Sequence, residues 1–188
     1  MINNNSTYFE YLKKRSKVSF LYRKYILYPK LNSFLSGSTL DIGCGIGDFL
    51  SFRPSAIGVD IDFVAVKWCK DIGLNAIQME IDSLPFSENS FSGIVLDNVL
   101  EHLENPKPLL NDILRVIKSD GIVIIGVPGI KGYASDSDHK NYYNEDNLTA
   151  LMSEFGFKKV STFGMPVSIP ILTKVMRQYC LYGVYRAV

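Results

Sequence analysis

The sequence predicts a doubly wound α/β domain: a mostly parallel sheet, an antiparallel strand at one edge, and helices on both faces. Three observations predict it. From Thr39 onward, short apolar segments of strand length alternate with segments of helical apolar spacing. The first strand runs straight into three glycines at alternate positions, Gly43, Gly45 and Gly47, where positive φ and close approach of a ligand are permitted. The stretch Ile122 to Val127 is apolar on both faces, as a central parallel strand is. At 188 residues, 47% of them hydrophobic, the chain can build one full core with a short appendage.

Taken in order, residues 1–36 read as a basic, tyrosine-rich helical cap, and residues 37–188 as the main domain. Helical spacing places Tyr8, Tyr11, Leu12, Phe20, Leu21, Tyr25, Leu27 and Tyr28 on apolar positions, with Lys13, Lys14, Arg15, Lys17, Arg23 and Lys24 solvated between them. Pro29 interrupts or restarts the helix. Residues 1–36 hold seven Lys/Arg against Glu10 alone, whereas the remainder holds thirteen basic and eighteen acidic residues. Such a cap could close the site or meet an anionic substrate or membrane surface.

Strands follow at Thr39–Ile42, Ala56–Asp60, Leu74–Met79, Phe91–Leu96 and Ile122–Val127. About a dozen residues separate the first two, close to the minimum for a right-handed crossover, so their helix must be very short and end by Pro54. Helices are predicted over 62–72, stopped by Gly73, over 107–118, and over 145–155, stopped by Gly156. Phe157–Phe163 and Gln178–Val188 read as a final antiparallel pair. The polar loop 129–147 is long enough to suggest a functional role on the substrate side. The segment 166–176 carries two prolines and several apolar residues.

Charge and cysteines exclude several classes. The net charge of +1 argues against a general polyanion binder, so neither DNA nor RNA is an expected partner. Cys44, Cys69 and Cys180 are odd in number and far apart, which suits neither a disulfide framework nor a zinc site. No leader or membrane-length apolar run is evident, and a cytoplasmic location is expected.

Strand, glycine turn and helix start form the place where α/β folds bind nucleotide-like ligands. A dinucleotide fold wants G-x-G-x-x-G, whereas the spacing here is G-x-G-x-G, which disfavours a nicotinamide-dependent oxidoreductase. The stretch LDIGCGIGDFL, the strand end GVDID, and LPFSENSFSGIVLDNVLEHLENP followed by LLNDILRVIKSDGIVIIGVPG resemble the successive motifs of class I S-adenosylmethionine-dependent methyltransferases with a Rossmann-like sheet. The likeness is to the small-molecule and polysaccharide-associated group and spans roughly residues 38–165.

The resemblance implies S-adenosyl-L-methionine as cofactor and S-adenosyl-L-homocysteine as product. Asp41 and Gly43, Cys44, Gly45 and Gly47 would cradle the methionine end. Asp60 would accept the ribose hydroxyls, and Ile61 would lie against adenine. Glu80, standing where the family usually has Asp, would accept the adenine amino group, with Asp82 as rival and Ile81 as neighbour. Asp97, Asn98 and Val99 would face the methyl donor, mostly through their backbone. Ser92-Gly93 replaces the family's common Phe-Asp.

Transfer from a sulfonium needs mainly orientation; a base is needed only if the acceptor must lose a proton. His102 is the first candidate and His139 the second, because imidazole titrates near neutral pH. Some small-RNA and quinone-pathway relatives bind a divalent metal at positions matching Asn98, Glu101, His102 and His139. Asn98 replaces the first carboxylate there, so no metal is expected. The expected partner is a small-molecule or glycan acceptor, with a membrane-proximal or lipid-linked acceptor as an extension. A non-catalytic module that binds the cofactor for a partner enzyme is the rival from another class.

Overall fold

The computed structural model describes residues 16–166 and 176–188. The expectations for Tyr8, Tyr11 and Leu12 and for most of segment 166–176 lie outside the described residues. Seven strands form one sheet: β1 (Thr39–Ile42), β2 (Ile57–Asp60), β3 (Ala76–Gln78), β4 (Phe91–Asp97), β5 (Ile117–Pro128), β6 (Phe157–Met165) and β7 (Cys180–Ala187). Their order is β3-β2-β1-β4-β5-β7-β6. Pairing is parallel from β3 through β5, and β7 runs antiparallel to both β5 and β6. The chain winds one way from β1 to β3, then crosses back to β4. That reversal opens a crevice beyond the carboxyl ends of β1 and β4, the usual ligand position in such sheets.

Side-chain alternation along the strands divides the core into two layers. On one face Leu40, Ile42, Ile94, Leu96, Val123 and Ile125 pack against α5 (Lys107–Val116) and α7 (Glu145–Glu154). On the other, Val95, Ile124, Tyr182 and Val184 pack against α3 (Asp48–Phe52), α4 (Phe63–Asp71) and the N-terminal cap. That cap is α1 (Lys17–Tyr22), a π-helical stretch Arg23–Leu27, and α2 (Tyr28–Asn32). Pro29 sits in the first turn of α2, where its missing N–H costs nothing.

Two local differences from the sequence reading have physical reasons, and so does one departure from the family pattern. The helix predicted over 107–118 ends at Val116, because Ile117 pairs with Phe91 and already belongs to β5. The polar loop 129–147 holds a short helix, α6 (Ile130–Tyr133), and is pinned where Lys140 and Asn141 N–H donate to the Glu101 carbonyl at 2.7 and 3.1 Å. Gly93, which departs from the family pattern, makes room for Leu35 of the cap: a β-carbon there would lie 2.7 Å from Leu35 Cδ2.

The loop after β3 is held by Arg115. Its guanidinium donates to the carbonyls of Phe86 and Leu84 at 2.6 and 3.0 Å while pairing with Asp112. Among the described residues no helix is long and apolar enough to cross a membrane.

Candidate active site

Two constellations flank the crevice. The first is the glycine turn after β1. Gly43, Gly45 and Gly47 all have positive φ, at 73, 52 and 80°, a region costly for residues with a β-carbon. A β-carbon at Gly43 would also collide with Val99, and one at Gly47 with Leu74 and Cys69.

The turn's own donors are already engaged. Gly43 and Cys44 N–H donate to the Val59 carbonyl at 2.8 and 3.0 Å, and Gly47 N–H to Cys44 at 2.9 Å. Gly45 N–H donates to Asp60 Oδ2 at 2.8 Å. The sequence reading assigned the backbone N–H groups to a ligand. Three of these instead tie the turn to β2, Gly43 and Cys44 through Val59 and Gly45 through Asp60, and the Gly47 bond closes the turn on itself. What the turn offers is closeness of approach.

Asp60 therefore works on the turn as well as on the crevice. Its other oxygen accepts from Asp62 N–H at 2.9 Å, and Asp62 caps α4 by accepting from Val64 N–H. The N-cap of that helix is thus Asp62, which leaves Asp60 at the strand end. Cys44 is buried in the core, so only its backbone reaches the turn. Ile61, Glu80 and Ile81 are exposed around the carboxyl ends of β2 and β3.

Asp97 is reached from a direction that the sequence did not signal. Arg23, carried by the π-helical stretch, places Nη1 2.8 Å from Asp97 Oδ2. Tyr182 donates its hydroxyl to Asp97 Oδ1 at 2.7 Å, and Asn98 Nδ2 donates to the same oxygen at 3.0 Å. Burial and Asp97 push the Tyr182 hydroxyl well up, which keeps it a donor. Arg23 had been read as solvated; its partners stand 74 positions away in sequence for Asp97, a separation that no local pattern reports.

Asn98 has φ 59°, a left-handed conformation that asparagine tolerates. Asp41 points to the same face, and burial first, then Asp97 and Asp60, holds its carboxyl well above the usual range. Asp41 therefore resists ionisation, while the charge of Asp97 is balanced by Arg23.

The second constellation is Glu101, His102 and His139. A 3₁₀ turn, Leu100–His102, follows β4 and presents the first two; loop 129–147 brings the third. The histidine ring centroids are 4.7 Å apart. Glu101 is 0% exposed, and neither of its carboxylate oxygens has a hydrogen-bond partner among the described residues. Its nearer oxygen lies 3.9 Å from His139 Nε2, beyond hydrogen-bonding distance. Burial, with Asp97 and Asp136 adding, raises its pKa from the ordinary 4.5 to about 8.

Burial and His139 push His102 below its ordinary 6.5, so it is neutral at pH 7. His139 Nδ1 lies 2.8 Å from the Tyr133 carbonyl. A carbonyl only accepts, so in the neutral ring Nδ1 carries the proton and Nε2 keeps a lone pair toward Glu101. One ligand atom from each of Glu101, His102 and His139 falls within 4.8 Å of the others, so the three could hold a cation. Asn98 takes no part in that cluster: its side chain bonds Asp97 and lies 3.7 Å from Cys180 Sγ.

The sequence-predicted residues thus fall on one rim of the sheet, in two groups. Comparison with known proteins fixes the family. The model of a family described as "Methyltransferase domain" matches residues 11–162. The chain belongs to this family.

Among relatives, the uncharacterized protein MJ1123 of Methanocaldococcus jannaschii is 30% identical over 135 residues, 66% of each chain. A tRNA (carboxymethyluridine(34)-5-O)-methyltransferase of Arabidopsis thaliana is 34% identical over 114 residues, 55% of this chain and 28% of that protein. The matched stretch is thus less than two thirds of either relative's length. A SAM-dependent methyltransferase from Aquifex aeolicus superposes with TM-score 0.74 over the whole of both chains at 17% identity, which shows the shared fold. This methyltransferase domain therefore has the class I architecture, whose cofactor is S-adenosyl-L-methionine. The crevice fits that cofactor: a glycine turn without β-carbons lets a ligand approach the backbone closely, and the Asp60 carboxyl stands beside it at the end of β2.

Proposed function

We propose that this methyltransferase domain transfers a methyl group from S-adenosyl-L-methionine to a hydroxyl oxygen of a small molecule or of a glycan or sugar precursor. The observation that carries the oxygen assignment is the Glu101–His102–His139 group beside the donor crevice. An amine acceptor attacks through its own lone pair, whereas a hydroxyl must shed a proton as it attacks. His102, neutral at pH 7, can take that proton. His139, fixed by the Tyr133 carbonyl, orients and polarises its neighbour.

On the donor side, Asp41 and the glycine turn would take the methionine end. Asp60 would accept from the ribose, and Ile61, Glu80 and Ile81 would frame adenine. Asp97, Asn98 and Val99 would set the floor beneath the methyl group. With the donor fixed and the acceptor oxygen in line behind the methyl, orientation supplies most of the acceleration.

A second reading has a specific observation behind it. The uncompensated Glu101 carboxylate and two histidine nitrogens match a carboxylate-and-two-imidazole donor set. A divalent ion held by Glu101, His102 and His139 would supply Lewis acidity to an acceptor hydroxyl.

The test is methyl transfer from labelled S-adenosylmethionine to a panel of hydroxyl and amine acceptors, with the metal content of the purified protein measured in parallel. The expected outcome is turnover on a hydroxyl acceptor, with the rate falling only once pH is well below the ordinary histidine value of 6.5, because burial and His139 lower His102. His102→Ala should lower kcat by roughly 100-fold or more with unchanged affinity for S-adenosylhomocysteine. Methylation of amines alone, or full activity of both His102→Ala and His139→Ala, would overturn the proposal. Stoichiometric metal, lost in Glu101→Ala, would select the second reading.

A further inference from the structure

The N-terminal cap is apolar on both of its sides. Its inner side buries Leu27, Tyr28 and Leu31 against the sheet, with Tyr22 packed beside them. Its outer side exposes Val18, Leu21 and Tyr25, at 76, 49 and 66%, three residues recurring at helical spacing. Phe20 and Ile26 flank them and are exposed as well. A surface helix ordinarily turns charged residues outward, and a contiguous exposed apolar run of this kind marks an interaction surface.

The charge on the same surface has one sign. Lys17 and Lys24 are exposed, and the sequence has no acidic residue between Glu10 and Asp41. Arg23 is committed inward to Asp97. The Lys24 ammonium lies 5.9 and 5.6 Å from the ring centroids of Phe20 and Tyr25, so charge and apolar surface are interleaved.

That combination decides between occupants. A second copy docked through this face would set lysine against lysine. Among the described residues, the domain core meets only the inner side of the cap. A bilayer with anionic headgroups above an acyl layer satisfies both features at once: side chains such as Val18, Leu21 and Tyr25 enter the interface while lysines remain at headgroup level. We infer that the outer face of the cap is a docking surface for an anionic lipid bilayer.

Docking would also steady the stretch that delivers Arg23 to Asp97, and would set the crevice mouth beside the membrane. The inference is independent of the acceptor's identity.

The experiment is flotation of the full chain with vesicles of phosphatidylcholine alone and of an equal mixture with phosphatidylglycerol. The expected result is at least about tenfold tighter binding to the anionic vesicles, weakening as salt is raised. The triple variant Val18→Ser, Leu21→Ser, Tyr25→Ser should lose about tenfold or more of that binding. Lys17→Glu with Lys24→Glu should abolish the preference for anionic vesicles. Both variants should bind S-adenosylhomocysteine with wild-type affinity, which separates loss of docking from loss of fold. Equal or absent binding to the two vesicle types would overturn the inference. So would a wild-type dimer in sedimentation equilibrium that the triple variant converts to monomer.

Discussion

The two sides of the crevice solve opposite electrostatic problems. On the donor side the polar groups of the turn and of Asp97 are paired: Gly43 and Cys44 with Val59, Gly45 with Asp60, and Asp97 with Arg23, Tyr182 and Asn98. On the acceptor side Glu101 is sealed in with both carboxylate oxygens unpartnered among the described residues. A saturated network is rigid and holds a shape before the ligand arrives. An unsatisfied buried carboxyl leaves a demand that a proton, a substrate or a cation can meet. On the proposed reading, the first side is built to position the donor and the second to react with the acceptor.

If the donor side is a preorganised cradle, its largest sensitivity lies at Asp60, which serves the turn and the ligand together. Asp60→Ala removes the acceptor of Gly45 N–H and of the ribose hydroxyls. Loss of two charge-assisted hydrogen bonds predicts a fall of on the order of 100-fold in affinity for S-adenosylhomocysteine, read by calorimetry. Asp60→Asn, which keeps one acceptor, should fall between. Near-normal binding by the alanine variant would refute the ribose assignment.

The Arg23–Asp97 pair tests whether the cap belongs to the donor side. Both side chains are largely shielded from solvent, at 19 and 12% exposure, so Arg23→Leu leaves a carboxylate short of its only cation in the network described here. The expected cost is about 2 kcal/mol in urea unfolding. Adding Asp97→Asn to that variant should recover most of it, since the uncompensated charge is then gone. A cost within about 0.5 kcal/mol would return Arg23 to the class of solvated surface charges.

How much of this was legible in the sequence follows the range of the interactions. The glycine spacing, the acid closing β2 and the alternation of strands and helices are local patterns, and they located the glycine turn after β1 and Asp60 at the end of β2. The grouping of His102 with His139 was legible only as two histidines in segments inferred to share a face. Arg23 and Tyr182 were not legible at all: each meets Asp97 across more than 70 residues of chain, and nothing around Arg23 distinguishes it from Lys24 beside it. The engaged N–H groups of the turn were likewise hidden, because Val59 and Asp60 accept them only once β1 and β2 pair. The end of α5 was misplaced because Ile117 suits the helix stripe and the strand equally, and its pairing with Phe91 decides.

The last prediction examines the Glu101 cluster directly. In protein stripped of metal by a chelator, Glu101 titrates near 8 in the folded state against an ordinary 4.5. The folded state therefore holds a proton that the unfolded state releases between those values. Below about pH 4.5 the carboxyl is neutral in both states and its burial adds no ionic cost. As pH rises through the window toward 8, the unfolded state ionises freely while the folded state resists, and stability falls. Glu101→Gln has the same shape and no titration. Its thermal stability should match wild type at pH 4.5 and exceed it increasingly as pH rises to 8.5. A gap that stays constant with pH would show that Glu101 is not buried without a partner. Repeating the scan with Zn²⁺ or Mn²⁺ sharpens the contrast: an ion bound by Glu101, His102 and His139 would stabilise the wild type at pH 8.5 and leave Glu101→Gln behind, whereas a site built for a proton alone would keep the glutamine variant ahead.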